Sequence, residues 1–183
     1  MKMKFRNLRA DEIEVRVQSV KANGLIALLY KDARCDMNIL DETVGVENWE
    51  RHHFEVKGNL FCALKIRFPR YEKNADGETV LIGYDWVEKC DCGVESNMEA
   101  VKGESSDSFK RAAFCFGIGR ELYSAPFIWI PKDKCNIENG KCFDKFSVEK
   151  IRIDDGKITG LAIRNDTKKC RAFVWQKEEV KDE

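Results

Sequence analysis

Three consecutive segments of the sequence alternate apolar and polar residues, as half-buried strands do. They are Trp49 to Lys57, Leu60 to Phe68 and Glu78 to Lys89. In the middle segment, Leu64, Ile66 and Phe68 fall on one face. Lys65 and Arg67 fall on the other face. The pattern predicts an antiparallel meander of three strands, with one apolar face and one partly basic face.

A different pattern follows in SSDSFKRAAFCFGIGRELY, residues 105–123, which has the period of a helix. Ser105 or Ser106 is expected to cap its first turn. Apolar residues form two stripes on the helical wheel, the first being Phe109, Ala112, Ala113 and Phe116 and the second Phe114, Ile118 and Leu122. Two stripes predict a helix covered on two sides, by its own sheet and by a second surface such as another subunit. Lys110 and Arg111 lie at the borders between the stripes.

The rest of the chain completes an α+β fold. Helices are predicted at Arg9 to Ser19 and Lys31 to Glu42. Strands are predicted at Leu25 to Tyr30, Ala125 to Ile130, Ser147 to Ile153, Ile158 to Arg164 and Arg171 to Trp175. We therefore expect a β-β-β-α core within residues 1–131, with the helix packed on the sheet. A polar loop at 132–146, a C-terminal meander at 147–176 packed on or beside the core, and a charged tail at 177–183 follow.

Composition limits the classes of partner. The 183 residues include 32 Lys and Arg and 32 Asp and Glu, so the net charge is zero and any site for a polyanion must be a local patch. The N-terminus lacks the apolar core of a signal peptide, and no later run approaches eighteen apolar residues. We therefore expect a cytoplasmic protein without a membrane span. Its eight cysteines are expected to be thiols.

Two stretches resemble the Rad-fifty-two-like superfamily of single-strand annealing proteins, which includes phage-encoded recombinases and DdrA-like damage-response proteins. SDSFKRAAFCFGIGRELY, shortly after the meander, resembles the signature helix, whose members have a DALKRAA-type start and a GIGRYLY-type end. LYKDARCDMNILDETVGVENW resembles the family's strand, its arginine-bearing helix, and the glycine and tryptophan that open the first meander strand. The resemblance covers residues 8–130.

This resemblance implies a β-β-β-α core, ring-shaped homo-oligomers, and a groove that holds single-stranded DNA by its backbone. Lys110 and Arg111 match the pair that contacts the backbone, and Arg34 matches an arginine that lines the same groove. Lys65 and Arg67 are further candidates, because basic residues repeated around a ring would form a continuous positive track. No catalytic site and no cofactor are expected. A nuclease or a single-strand-binding protein is an expected partner in recombination or repair.

Other functions remain open from the residues alone. Cys90, Cys92, Cys135 and Cys142 offer four thiols for zinc, although the CxC and Cx₆C spacings match no common structural zinc site. No GxxxxGK[ST] motif is present, which disfavours a strand-exchange ATPase.

Another alternative is a metal-dependent nuclease, because Asp41, Glu55 and Lys57 follow the acid…ExK order of such enzymes. An interaction protein without affinity for DNA is a third class. Salt-sensitive binding to single strands would distinguish it, because phosphate contacts weaken steeply as salt rises.

Overall fold

The structure is a computed structural model that describes residues 3–94 and 100–178, with the side chains of residues 100–102 excluded. It confirms the α+β class with mostly antiparallel strands. Within the described residues the helices are α1 (Ala33–Val44) and α2 (Ala100–Phe116). The strands are β1 (Ile13–Lys21), β2 (Gly24–Lys31), β3 (Trp49–Val56), β4 (Asn59–Lys73), β5 (Thr79–Cys92), β6 (Ile128–Pro131), β7 (Phe146–Asp154), β8 (Lys157–Asn165) and β9 (Cys170–Gln176).

The chain forms two compact units, and each unit is built from two separated segments of the sequence. Unit one contains the described parts of Met1–Arg6 and Ala33–Ile118, and unit two those of Asn7–Asp32 and Gly119–Glu183. Unit one has the sheet β3-β4-β5 and both α-helices, and unit two has the sheet β6-β2-β1-β7-β8-β9.

The meander of unit one confirms the predicted strands and their faces. Leu64 and Ile66 are fully buried, and the ring of Phe68 stacks on that of Phe116 in α2 at 6.2 Å between centroids. β4 continues past its predicted end through Pro69 to Lys73. Proline is tolerated there because β3 pairs with β4 only as far as Ile66, which leaves β4 a single neighbour among the described strands.

Helix α2 begins earlier and ends earlier than its sequence pattern predicts. Ser105 and Ser106 are not caps, because they lie inside a helix that starts at Ala100. The Ser106 hydroxyl instead donates to the carbonyl of Gly103 at 3.1 Å, which is the back-bonding that serines adopt within helices. The helix ends at Phe116, and Gly117 follows with a φ of +100°, a conformation that favours glycine.

Unit two corrects the first predicted helix. Residues 10–12 form a 3-10 turn, and the segment then continues as β1. Ile13, Val15 and Val17 alternate along β1, and β-branched side chains favour a strand over a helix. Pairing of β1 with β2 in a hairpin therefore overrides the helical spacing.

The C-terminal meander is confirmed as β7, β8 and β9. It continues the sheet of β1 and β2 through a single described register pair, Glu14 with Ser147. The predicted polar loop before it begins with a 3-10 turn at Lys132–Lys134. Buried Asn165 anchors this loop, donating to the Lys134 carbonyl at 2.9 Å and to Asp144 Oδ2 at 2.7 Å.

Candidate nucleic-acid interface

Helix α2 is fixed on the meander by an apolar face that the sequence identifies correctly. Phe109, Ala112 and Ala113 are fully buried, and the ring of Trp49 stacks on that of Phe109 at 6.1 Å. The Trp49 indole N–H also donates to Asp41 Oδ1 at 2.7 Å, which ties β3 to α1. This packing determines where the cations of α2 lie.

Lys110 and Arg111 each lie beside a carboxylate. Lys110 Nζ is 3.7 Å from Asp107 Oδ1, and Arg111 Nη2 is 3.2 Å from Asp91 Oδ1 in β5. The Arg111 side chain is 38% exposed, whereas that of Lys110 is 16% exposed and lies deeper than a border position predicts. A partly exposed ion pair such as that of Arg111 with Asp91 contributes about 0–1 kcal/mol, so it restrains the guanidinium only weakly.

Both carboxylates are themselves held by backbone groups. Asp107 Oδ2 accepts from the backbone N–H of Val94 at 3.2 Å, and Asp91 Oδ1 accepts from that of Cys92 at 2.8 Å. The spacing of three residues between Asp107 and Lys110 is visible in the sequence. The pairing of Asp91 with Arg111 is not visible, because it depends on how α2 packs on β5.

Arg34 belongs to the same unit as these cations. It is exposed in the first turn of α1, and α1 packs against α2.

Lys65 and Arg67 lie on the opposite face of the meander from α2. Lys65 Nζ lies between Glu50 Oε1 at 3.3 Å and Glu88 Oε2 at 3.6 Å. The guanidinium of Arg67 lies 4.1 Å over the ring centroid of Tyr84. The fold therefore does not place these two residues on the sheet face that carries Lys110 and Arg111.

Large apolar side chains are exposed around Lys65 and Arg67. We call this face of the meander the outer face. Its members, each 36–49% exposed, are Phe54, Tyr71, Leu81, Tyr84 and Trp86. Exposed aromatic side chains of this kind are enriched at protein interaction surfaces.

Two cations of the helix-bearing face were not among the predicted site residues. Lys89 Nζ donates to the Cys115 carbonyl at 2.7 Å, which stabilises the C-terminal end of α2. The guanidinium of Arg51 lies 4.4 Å over the ring centroid of Phe109. An arginine at a polar position of a strand pattern is expected to be an ordinary solvent-facing charge. The sequence therefore does not predict the contact of Arg51 with Phe109.

The proposed nuclease residues are not brought together. Asp41 is bound to Trp49 at the start of β3, whereas Glu55 lies near the end of the same strand. Trp49 and Glu55 are six residues apart along β3, a distance of about 20 Å. One metal ion cannot bridge that distance, so Asp41, Glu55 and Lys57 do not form a nuclease centre within one chain.

The cysteines form no zinc site in the part of the chain that the structure describes. No group of three or more His, Cys, Asp or Glu side chains there is arranged to hold a metal ion. Cys90 is exposed and Cys92 is half-buried in β5. Burial raises the pKa of the Cys135 thiol to about 11, and its Sγ contacts the Pro131 carbonyl at 3.4 Å, so this side chain is a protonated thiol.

Comparison with known proteins agrees with the resemblance. The family model described as "Rad52/22 family double-strand break repair protein" matches residues 4–140, which include both α-helices and the whole meander. No curated protein matches the chain. No helix within residues 3–94 and 100–178 is long and apolar enough to cross a membrane.

Proposed function

This chain belongs to the Rad52/22 family of double-strand break repair proteins, and we propose that it binds single-stranded DNA and anneals complementary strands without a nucleotide cofactor. The observation that carries the proposal is the family match over three quarters of the chain. The position of Lys110 and Arg111 on α2, which packs on the meander through buried Phe109, supports the proposal.

Annealing requires affinity for the backbone without readout of the bases. Lys and Arg contacts to phosphates give that affinity and leave the Watson–Crick edges available for pairing. The carboxylates of Asp107 and Asp91 hold the two cations in position before DNA arrives. When DNA binds, phosphate oxygens take the place of these carboxylates. The exchange costs little free energy, because a partly exposed ion pair such as that of Arg111 with Asp91 contributes little to stability.

A neutral chain needs several copies to form a continuous positive track, and we propose that the protein acts as a cytoplasmic homo-oligomer, with a ring as the expected form. The outer face supports self-association, because its exposed aromatic residues are of the kind enriched in protein interfaces. A phage or cellular nuclease that produces single strands, or a protein that coats them, would be the corresponding partner.

Replacement of both cations tests the proposal. Lys110→Ala with Arg111→Ala is expected to abolish binding to a single-stranded oligonucleotide and annealing of complementary strands, with the fold unchanged by circular dichroism. Lys157→Ala with Arg164→Ala removes two positive charges from β8 and serves as the matched control, with binding as in the parent. A folded Lys110/Arg111 variant that annealed as fast as the parent would refute the assignment of the site.

A further inference from the structure

Arg51 is the third residue of β3, an edge strand of the meander in unit one. It is exposed, and it pairs in register with Leu64, whose side chain is fully buried on the same face. Directly opposite partners in an antiparallel pair point to the same face of the sheet. Arg51 therefore projects from the face of the meander on which α2 packs, beside the signature helix.

The ring of Phe109 holds the Arg51 guanidinium in place. The guanidinium carbon is 4.4 Å from the ring centroid, and Phe109 is itself fully buried and stacked on Trp49. A guanidinium stacked on an aromatic ring keeps its planar set of N–H donors in a fixed orientation. Less conformational entropy is then lost when those donors bind an anion.

Arg51 differs from four other cations of unit one in its charge environment. Lys65, Arg70, Lys110 and Arg111 each have a carboxylate within 4.0 Å. Among the described residues, Arg51 has no carboxylate within that distance, and its five N–H donors make no hydrogen bond. Burial raises the pKa of the Cys62 thiol, and the positive charge of Arg51 acts in the opposite direction.

We propose that Arg51 contacts a backbone phosphate of single-stranded DNA, an additional contact beyond those of Lys110 and Arg111. The inference rests on the proposed function. Arg111 is tied to Asp91 in β5, whereas Arg51 is in β3, so about two strand spacings or ~10 Å separate their strands. Arg51 would therefore bind a different phosphate, one on the β3 side of α2.

Two substitutions separate a phosphate contact from a structural role. Arg51→Met removes the charge but keeps an unbranched apolar side chain that can cover Phe109. Arg51→Lys keeps the charge but loses the planar fork. Arg70→Met is the matched control, because Arg70 is an exposed arginine of the same sheet whose guanidinium is 3.3 Å from Asp85.

The measurement is the dissociation constant for an oligo-deoxythymidine at several salt concentrations. Arg51→Met is expected to weaken binding about tenfold at low salt, as loss of one charge-assisted hydrogen bond does. It should also reduce the slope of log K against log salt by about 0.7, the value for one phosphate of a single strand. Arg51→Lys should keep the parent slope, and so should Arg70→Met.

The outcomes distinguish this inference from the proposed function. If the parent binds with a steep salt dependence and Arg51→Met has the same slope, the phosphate contact is refuted and the proposed function stands. A fall in the particle mass of Arg51→Met without a change in slope would also refute it, because Arg51 would then act at an interface between copies. If the parent does not bind the oligonucleotide at all, both proposals fail.

Discussion

Phe109 is expected to be the most sensitive single position for the stability of unit one. Its ring is fully buried between α2 and the meander, where it stacks on Trp49 at 6.1 Å and lies under the Arg51 guanidinium at 4.4 Å. Phe109→Ala removes the whole ring and leaves a cavity, a change that costs about 3–5 kcal/mol. Loss of the aromatic pair adds about 0.5–1.5 kcal/mol, and loss of the cation–π contact about 0.5–1 kcal/mol.

The expected loss in the free energy of unfolding is therefore about 4–6 kcal/mol, allowing for contributions that do not add fully. Single domains have only about 5–15 kcal/mol in total, so the variant should be barely folded at 25 °C. Urea unfolding followed by circular dichroism measures the change. Phe109→Leu should lose less, because leucine refills part of the cavity.

Phe143→Ala is the control for this measurement, because Phe143 is 83% exposed and its loss should change stability by less than about 0.5 kcal/mol. A loss below about 1.5 kcal/mol in Phe109→Ala would contradict the packing described for α2. In a Phe109 variant that still folds, weakened binding of DNA would follow from displacement of α2, since Lys110 and Arg111 are carried by the same helix.

Further substitutions test other parts of the fold. Asn165→Ala should lower the free energy of unfolding by about 3 kcal/mol in urea titration, because it removes a fully buried side chain that donates to the Lys134 carbonyl and to Asp144. Asn165→Asp keeps the acceptor oxygen but should not restore stability, because its carboxylate would lie beside that of Asp144. Gly119→Ala should lower the melting temperature, because Gly119 has a φ of +71° and a Cβ there would lie 2.8 Å from the Lys31 side chain. An unchanged melting temperature would exclude this crowding. The pKa of Cys62 is raised to about 11 by burial, so alkylation at pH 8 should modify exposed Cys90 first, and equal rates by mass spectrometry would contradict the burial. Trp86→Glu on the outer face should reduce the particle mass in light scattering if this face joins copies, and an unchanged mass would exclude that role.

Local patterns determined the meander, the C-terminal strands and the buried stripe of α2, because strand and helix periods place apolar residues on one face wherever that face is buried. The same patterns gave a wrong helix at Arg9 to Ser19, because Ile13 and Val17 are four residues apart, a spacing that suits a helix as well as a strand, and pairing with β2 decided the outcome. The family resemblance directed attention to Lys110 and Arg111, which no spacing argument separates from ordinary border residues.

The tertiary structure alone decided which charges are compensated. Asp91 lies twenty residues before Arg111, and Arg51 lies far from Phe109 in sequence, yet both pairs are in contact once α2 packs on the meander. It also placed Lys65 and Arg67 on the face away from α2, although all four cations had been candidates for one track. The physical reason is that local periodicity specifies which face a side chain occupies, whereas electrostatic environment depends on neighbours that only long-range packing supplies.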